Sequence, residues 1–336
     1  MNRLASRAVI LLYHRVAESN SDPQWLCVTP KHFAEHLEIL RKHSYPMQLQ
    51  QLVQALRDGD LPNLAVILTF DDGYADNLYN AKPLLLRYEL PATVFVTTGY
   101  LGDGREFWWD ELDRLVLQPG MLPETVHLTV KGKVHRWELG ENTHYDEDDC
   151  LRHRGWNVLE QEDPTPRHYL YRSLFQMLCS LSEKSRRKVL NELLGQAAPG
   201  LITCFPHRAL SPDEVFRLAE GGVVEVGSHT MTHPVLSVLP ASAQWAEIKG
   251  SKSRLEEILG SPVTSLSYPY GSQSDYMPQT VAFAREAGYS CACSNFPGLA
   301  IRSSDHYQLP RILVRDWDGE EFLRRMKVWF RDQRMR

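Results

Sequence analysis

The 336-residue sequence has few cysteines, no long apolar run and no excess of basic residues. Six cysteines are too few to stabilise a chain of this length through disulfide bonds, and such usage is typical of a reducing compartment. No stretch reaches the roughly 18 consecutive apolar residues that would indicate a membrane span. The 37 lysines and arginines are outnumbered by 42 aspartates and glutamates, which argues against a nucleic-acid partner.

We also expect no secretory signal peptide at the start of the sequence. The short apolar run at 8–13 is followed directly by His14 and Arg15. A signal peptide needs a longer apolar region and a cleavage site of small residues. We therefore interpret the run as the first core strand and expect a cytoplasmic protein.

Short apolar runs alternate with helical patterns along most of the chain, and this alternation indicates parallel βα units. A closed or nearly closed α/β barrel suits about seven strands, with its chemistry at their carboxyl ends. The helical patterns lie at 30–43, 48–57, 75–89, 241–259, 276–287 and 318–330, with one more starting at about 212. The strands are predicted at 8–13, 65–70, 93–97, 223–227, 264–268, 289–293 and 309–314.

The stretch 103–205 interrupts this alternation. It combines helical patterns with a hairpin around residues 131–132 and an acidic segment that becomes rich in proline and histidine. We interpret 1–102 and 206–336 as the barrel domain. The stretch 103–205 is then a mainly helical insertion, a type of element that often covers substrate.

Two carboxylates, Asp71 and Asp72, follow the apolar run at 65–70 directly and precede a glycine. Burying an ionised carboxylate is costly unless it meets a cation or several hydrogen bonds. The pair therefore predicts a metal ligand or a catalytic base at this strand end. A plain Asp-Gly turn is the alternative that the motif alone leaves open.

A second strand end carries His229 and His233 in the segment GSHTMTHP. This His-x3-His spacing places two imidazoles within reach of one ion, and one aspartate with two histidines is a common catalytic metal set. His32 and His36 share the spacing, but they lie on an amphipathic helix pattern without an acidic strand-end partner. We therefore expect metal at the first pair alone.

The predicted strands at 8–13 and 264–268 also end in chemically useful residues. The turn Tyr268-Pro269-Tyr270-Gly271 can present aromatic walls and a backbone N–H to a ligand, and His14 ends the first strand. Taken singly, each has a structural alternative. Because the strand ends of a barrel converge on one rim, the four motifs together favour a single active site.

The motifs TFDDG at 69–73, HTMTHP at 229–234 and Pro-Tyr-Gly at 269–271 resemble the signature of the NodB-type polysaccharide deacetylases, carbohydrate esterase family 4. The resemblance covers roughly 1–100 and 206–315. It implies a distorted (β/α) barrel of about seven parallel strands. It also implies a hydrolase that removes N- or O-acyl groups from sugars with a divalent metal, for which zinc is the expected ion.

Carried over by position, the resemblance implies that Asp71 is the general base. Asp72, His229 and His233 match the metal ligands of the family. Tyr270 matches the residue whose backbone N–H helps to bind the oxyanion.

Two departures from the family pattern lead to further predictions. Ser267 stands where the family has the arginine that orients the base, and we predict that Arg311 replaces that arginine from a neighbouring strand. The usual late acid histidine is missing, since no histidine follows His306. A permuted branch of the family takes its acid from an N-terminal Tyr-His strand, so His14 becomes the candidate acid.

Candidate substrate contacts lie at Trp108, Trp109 and Asp110 in the insertion, and at Tyr268. The indoles could stack on a sugar ring, and the carboxylate could accept from hydroxyls. The alternative is that the tryptophans anchor the insertion.

The function that the sequence predicts is metal-dependent removal of an N-acyl group, with N-acetyl as the first candidate. The partner would be an acylated sugar or saccharide in bacterial glycan biosynthesis or modification. A sugar N-deformylase, or a deacetylase of a nucleotide- or lipid-linked small sugar, is the alternative enzyme. A sugar-binding pseudoenzyme is the alternative of another class, and the sequence leaves the oligomeric state open.

Overall fold

The structure, a computed structural model, describes residues 7–102, 104–197 and 207–330. Contacts divide the chain into two units. One contains the described residues of Met1–Glu18, Leu26–Asp103 and Ala209–Arg336, and the other those of Ser19–Trp25 and Gly104–Arg208. The second unit thus takes in a short N-terminal segment that the sequence boundaries did not include, while the boundary residues 103, 205 and 206 lie outside the described ranges.

A ring of parallel strands lies at the centre of the first unit. The strands are β1 (Arg7–Tyr13), β2 (Ala65–Phe70), β3 (Ala92–Val96), β4 (Val224–Ser228), β5 (Ser265–Ser267), β6 (Cys291–Cys293) and β7 (Ile312–Leu313). Consecutive strands pair from β1 to β6, and β7 pairs with β1. A parallel bridge from Cys293 to Leu309 joins β6 to the segment that leads into β7. The predicted distorted (β/α) barrel is therefore confirmed.

Two shorter strands extend the sheet, and the antiparallel one makes it mixed. Ala300–Ile301 pairs antiparallel with the start of β1, and Tyr45–Pro46 pairs parallel with the start of β2. Both lie at the amino-terminal side of the barrel strands, so they leave the carboxyl ends open for chemistry.

Burial on both faces explains the continuous apolar character of the barrel strands. All six residues of β2 are buried. Along β1, Val9 and Leu11 join the core formed with the surrounding helices, while Ala8 and Ile10 join a separate cluster with Ile67 of β2. A strand that packs on both sides needs apolar residues at every position, which is why no polar alternation appears in the sequence.

The helices begin and end largely where local signals predict. Thr29 caps the first helix ahead of a proline, and Ser211 and Glu214 form a reciprocal capping box at another. Among the described residues, no helix combines the length and apolar character needed to cross a membrane. The helices are α1 (Pro30–His43), α2 (Leu49–Asp58), α3 (Lys82–Tyr88), α4 (Trp108–Val116), α5 (Glu147–His153), α6 (Pro166–Cys179), α7 (Glu183–Leu194), α8 (Pro212–Ala219), α9 (Ala241–Leu259), α10 (Pro278–Glu286) and α11 (Gly319–Trp329).

The helix predicted at 75–89 differs in its first turns. Residues Asn77–Ala81 form a π-helical turn that leads into α3. Pro83 has no N–H to donate, and in a regular α-helix its ring would clash with the carbonyl four residues earlier. The wider turn avoids that clash, and π-helical turns are frequent beside functional sites.

The second unit consists of helices α4 to α7 and a hairpin of Thr125–Val130 with Lys133–Glu138. Helix α4 packs on α6 and α7, and α7 packs on the hairpin. The buried guanidinium of Arg167 donates to the carbonyls of Val116, Gly120, Asn142 and Thr143. These bonds tie the loops of the unit together.

Gly227 on β4 lies so close to β3 that a side chain would not fit. An added Cβ would be 2.4 Å from Cδ1 of Phe95 and 2.7 Å from Oγ of Ser265. We expect Gly227→Ala to lower the free energy of unfolding by about 1–3 kcal/mol through overpacking, measured by urea denaturation. The control Gly195→Ala adds a Cβ no closer than 3.4 Å to the Asn191 carbonyl and should change it by less than about 0.5 kcal/mol. Equal stability of the two variants would contradict the packing.

Candidate active site

The sheet ladder continues past the ends of the strands and brings the predicted residues to one rim. The backbone N–H of Asp71 donates to the carbonyl of Tyr13 at 3.0 Å, so Asp71 lies level with His14. The N–H of His229 donates to the carbonyl of Val96 at 3.0 Å. Parallel pairing therefore places these strand ends side by side without help from the loops.

Asp72, His229 and His233 form a buried cluster at this rim. Oδ1 of Asp72 lies 3.6 Å from Nε2 of His229 and 3.4 Å from Nε2 of His233. One ligand atom from each residue lies within 4.8 Å of the others. The structure therefore brings together the three ligands that the resemblance implied.

The hydrogen bonding of His229 shows that the cluster suits a cation. Its Nδ1–H donates to the carbonyl of Ser267 at 2.8 Å, so a lone pair on Nε2 faces the Asp72 carboxylate. Burial lowers the pKa of His229, against the opposing charge of Asp71, and this favours the neutral ring. Two acceptors then face each other without a proton between them. The two carboxylate–imidazole separations of 3.6 and 3.4 Å are short enough for one divalent ion to be bound by both partners.

The backbone around the cluster is held in the left-handed region. Asp72, Thr230, His233 and Tyr270 have φ angles of 74°, 63°, 53° and 60°. For residues other than glycine this region costs roughly 1–2 kcal/mol each. The packing of the barrel must supply that energy to hold the rim in this shape.

Asp71 is held by Arg311 through a two-pronged ion pair. Nη1 donates to Oδ1 at 2.8 Å and Nη2 to Oδ2 at 2.6 Å, while the Ser267 hydroxyl donates to Oδ2 at 3.1 Å. Burial alone would raise the pKa of Asp71, but the Arg311 charge, His229 and the Arg311 hydrogen bonds hold it well below its usual value. The carboxylate is therefore ionised at neutral pH.

Arg311 reaches Asp71 from the segment that leads into β7. Its remaining donors bind the Ser294 carbonyl at 2.7 Å, the Thr69 hydroxyl at 3.2 Å and the Ser267 hydroxyl at 2.8 Å. The position where the family has its arginine thus carries a serine that bonds to both members of the pair. This geometry is what the predicted replacement by Arg311 requires.

Two side chains of the π-helical turn bind backbone carbonyls at His14 and just after it. The side-chain amide of Asn77 donates to the His14 carbonyl at 2.9 Å, and that of Asn80 donates to the Val16 carbonyl at 2.7 Å. Sequence analysis missed both asparagines. Their signal was available as polar residues three apart on one helical face shortly after the double aspartate.

The surroundings of His14 disfavour its charged form. Burial lowers the pKa of His14 from 6.5 to about 3, the charge of Asp71 opposes this effect, and Arg315, Arg311 and His229 add to it. The imidazole is therefore neutral near pH 7. A histidine that supplies a proton from this position must first receive one.

The turn after β5 places Tyr270 and Tyr268 differently. The ring of Tyr270 meets that of His233 edge to face, with centroids 4.8 Å apart. Tyr268 is fully buried, stacks on Tyr276 at 4.3 Å and donates its hydroxyl to the Tyr307 carbonyl at 3.0 Å. The expectation that Tyr268 contacts substrate is therefore wrong, because both its ring and its hydroxyl are used in the core.

The two tryptophans at the start of α4 are also buried. Trp108 has no exposed surface and stacks on Phe175 at 5.1 Å, and Trp109 is 5% exposed and stacks on Phe107 at 4.8 Å. Neither indole offers a face on which a sugar could stack, so that expectation is corrected. Asp110 lies half-buried in the first turn of α4, and its contact with substrate stays a prediction.

We expect Arg311→Met to lower the free energy of unfolding of the metal-free protein by about 3–5 kcal/mol at pH 7, because Asp71 becomes a buried unpaired charge. In the wild type the pKa of Asp71 is depressed, so the carboxylate stabilises the fold at pH values above its unfolded pKa near 3.9. In the variant the pairing is lost, and burial raises the pKa of Asp71 instead. The difference should therefore shrink as the pH falls towards 4. Urea denaturation at both pH values measures it.

The matched control is Arg254→Met, which removes an exposed ion pair with Glu257. Exposed pairs contribute about 0–1 kcal/mol, so this variant should remain close to wild type at both pH values. A similar loss in both variants, or a loss in Arg311→Met that does not depend on pH, would contradict the assignment.

A family model described as polysaccharide deacetylase matches residues 58–122 and 184–292, a little more than half of the chain. These segments include the strand ends that carry Asp71, Asp72, His229, His233 and Tyr270.

Among curated proteins, the chain is 34% identical over 86 residues to the poly-β-1,6-N-acetyl-D-glucosamine N-deacetylase of Escherichia coli. The match covers 25% of this chain and 13% of that protein. Matches to the first curated relatives span at most 38% of their length.

Among solved structures, the deacetylase PplD of Streptococcus pyogenes, in complex with acetate, aligns over 96% of this chain and 99% of its own. The TM-score is 0.58 at 18% identity. IcaB from Ammonifex degensii aligns over 97% of both chains with a TM-score of 0.59, also at 18% identity. At this identity the alignments show a shared fold.

Proposed function

Because the chain belongs to the polysaccharide deacetylase family, we propose that it is a metal-dependent hydrolase that removes an N-acyl group from a sugar or saccharide. N-acetyl is the first candidate for that group. The observation that carries the proposal is the buried set of Asp72, His229 and His233 beside an ionised Asp71.

Asp72, His229 and His233 are proposed to hold a divalent metal, with zinc as the first candidate. Such an ion, when bound, would act as a Lewis acid that polarises an acyl carbonyl and makes a bound water more acidic. The Ser267 carbonyl keeps His229 in the tautomer that this role requires. A sugar-binding pseudoenzyme would be expected to lack part of this set, and here all three ligands are present.

Asp71 is proposed to accept a proton from the attacking water. The fork of Arg311 keeps the carboxylate ionised and fixes its orientation, so no energy is spent on aligning it during the reaction. A carboxylate with a depressed pKa is a weak base. It therefore depends on a water that has already been made more acidic.

The backbone N–H of Tyr270 is proposed to bind the oxyanion that forms when water adds to the acyl carbon. His14 is proposed to give a proton to the leaving sugar nitrogen, since an amine leaves poorly as an anion. Because His14 is neutral at rest, we propose that it passes on the proton that Asp71 takes from the water. The proton balance of the hydrolysis then closes within the site.

We also propose a cytoplasmic location. The described cysteines are free thiols, as expected in a reducing compartment. A cytoplasmic enzyme would meet sugar precursors as well as finished polymers. Release of acetate or formate from N-acetylated and N-formylated sugars, free and nucleotide- or lipid-linked, would identify the substrate.

We expect Asp71→Asn to keep its metal and lose turnover by about 10²–10⁴-fold, because the base is removed while the ligand set remains. His233→Ala should lose the metal and activity together. Metal content after dialysis and deacetylation rate measure both effects. The control His32→Ala changes a histidine of the other His-x3-His pair, which bonds to Asp316, and should keep metal and rate. Equal metal content in His233→Ala and wild type would refute the proposed centre.

We expect His14→Gln to lower kcat by about 10²–10⁴-fold without changing the shape of the pH profile between pH 5 and 8. A histidine with a pKa of about 3 does not titrate between pH 5 and 8, so its removal should not remove a titration step from the pH profile in that interval. The profile of kcat/KM in both proteins measures this. If the wild-type profile has a titration near pH 6.5 that disappears in the variant, His14 is charged at rest and the proton transfer from Asp71 to His14 is excluded. A near-normal kcat in the variant would exclude His14 as the acid.

A further inference from the structure

The loop between His229 and His233 is short and strained, and several of its backbone groups form hydrogen bonds. Thr230 and His233 have positive φ angles. From the loop after β3, the N–H of Thr98 donates to the Thr230 carbonyl at 3.1 Å and that of Gly99 donates to the Met231 carbonyl at 2.7 Å. These bonds satisfy loop carbonyls, while the loop N–H groups require acceptors from elsewhere.

Glu247 on α9 supplies those acceptors. Its Oε2 accepts from the N–H groups of Met231 and Thr232, both at 2.8 Å, and its Oε1 accepts from the Thr232 hydroxyl at 2.6 Å. One carboxylate thus binds two consecutive backbone amides and a side chain immediately before His233. Hydrogen bonds from several donors to one charged group are stronger than neutral ones and fix geometry.

Helix α9 also fits the loop by shape. Gly250 lies three residues after Glu247, on the same helix face, and a Cβ there would be 2.5 Å from Sδ of Met231. On the other side, a Cβ at Gly99 would be 2.4 Å from the Met231 carbonyl oxygen. The loop is therefore enclosed between two glycines, with Glu247 bound along its backbone.

We propose that Glu247 is a positioning residue that fixes the loop between His229 and His233 and thereby presets the metal ligands. The proposal rests on the proposed function. His233 follows Thr232 directly, so its backbone angles are set by the amide plane that Glu247 holds. Without the carboxylate, the strained loop can relax, and His233 then leaves the position in which its Nε2 faces Asp72.

The test compares Glu247→Ala with Glu247→Gln in the full-length protein. In the glutamine variant, the amide oxygen can still accept from both N–H groups, and the amide nitrogen can donate to the Thr232 hydroxyl. The control Glu257→Ala removes a carboxylate from the same helix that pairs at the surface with Arg254. Melting temperatures of the metal-free proteins show whether each variant folds as well as the wild type.

Two measurements follow the loop and the metal separately. Hydrogen–deuterium exchange of the segment 228–235 in the metal-free protein should be faster in Glu247→Ala and unchanged in Glu247→Gln and Glu257→Ala. Zinc affinity, measured by competition with a chromogenic chelator, should fall about 10–100-fold in Glu247→Ala alone, as for other residues that orient metal ligands.

Unchanged exchange in Glu247→Ala would overturn the inference, and so would faster exchange with wild-type zinc affinity. A glutamine variant as weak as the alanine variant would show that the charge, rather than the hydrogen bonds, acts on the site, which also overturns it. A wild-type protein that binds no zinc, cobalt or manganese would refute the proposed function, whereas the exchange result would still decide whether Glu247 holds the loop.

Discussion

The buried charge of two adjacent carboxylates, Asp71 and Asp72, is the constraint on which the rest of the rim depends. Neither can stay ionised in a dry interior without compensation. Asp71 is paired with the guanidinium of Arg311, a residue far away in the sequence, and Asp72 lies 3.6 and 3.4 Å from the Nε2 atoms of His229 and His233. One carboxylate is thus neutralised by the protein itself. The other lies in a cluster that could hold a cation, so the two neighbouring carboxylates have different surroundings.

This division explains why the site combines rigid and strained parts. The hydroxyl of Ser267 also binds Asp71 and its carbonyl accepts from His229, so the proposed base and one proposed metal ligand are oriented by the same strand end. The left-handed backbone at Asp72 and His233 persists because the packing around it holds it in place. If the proposed roles hold, groups fixed in this way need little reorganisation when a substrate binds.

Much of the barrel follows from local patterns. Continuous apolar runs predicted the parallel strands because strands buried on both faces have no polar side, and caps such as Ser211 marked helix starts. Aromatic residues near the motifs were candidate sugar contacts, but Trp108 and Tyr268 are buried, and for Trp108 this fits the structural alternative that the sequence left open. Composition does not tell which side of an element a ring faces. The π-helical turn was not predicted either, because it depends on how the ring of Pro83 packs against the preceding turn.

The sequence by itself determined which residue types end each strand, because order along the chain and parallel pairing bring those ends together. It therefore placed Asp71, Asp72, His229 and His14 at one rim. The family resemblance led to the prediction of Arg311 as the partner of Asp71, but the tertiary structure decided how the two charges meet. Arg311 lies 240 positions from Asp71, and only the closure of the ring through β7 brings the two side chains within 2.6 Å. Pairing between distant segments depends on packing in three dimensions, which no local pattern records.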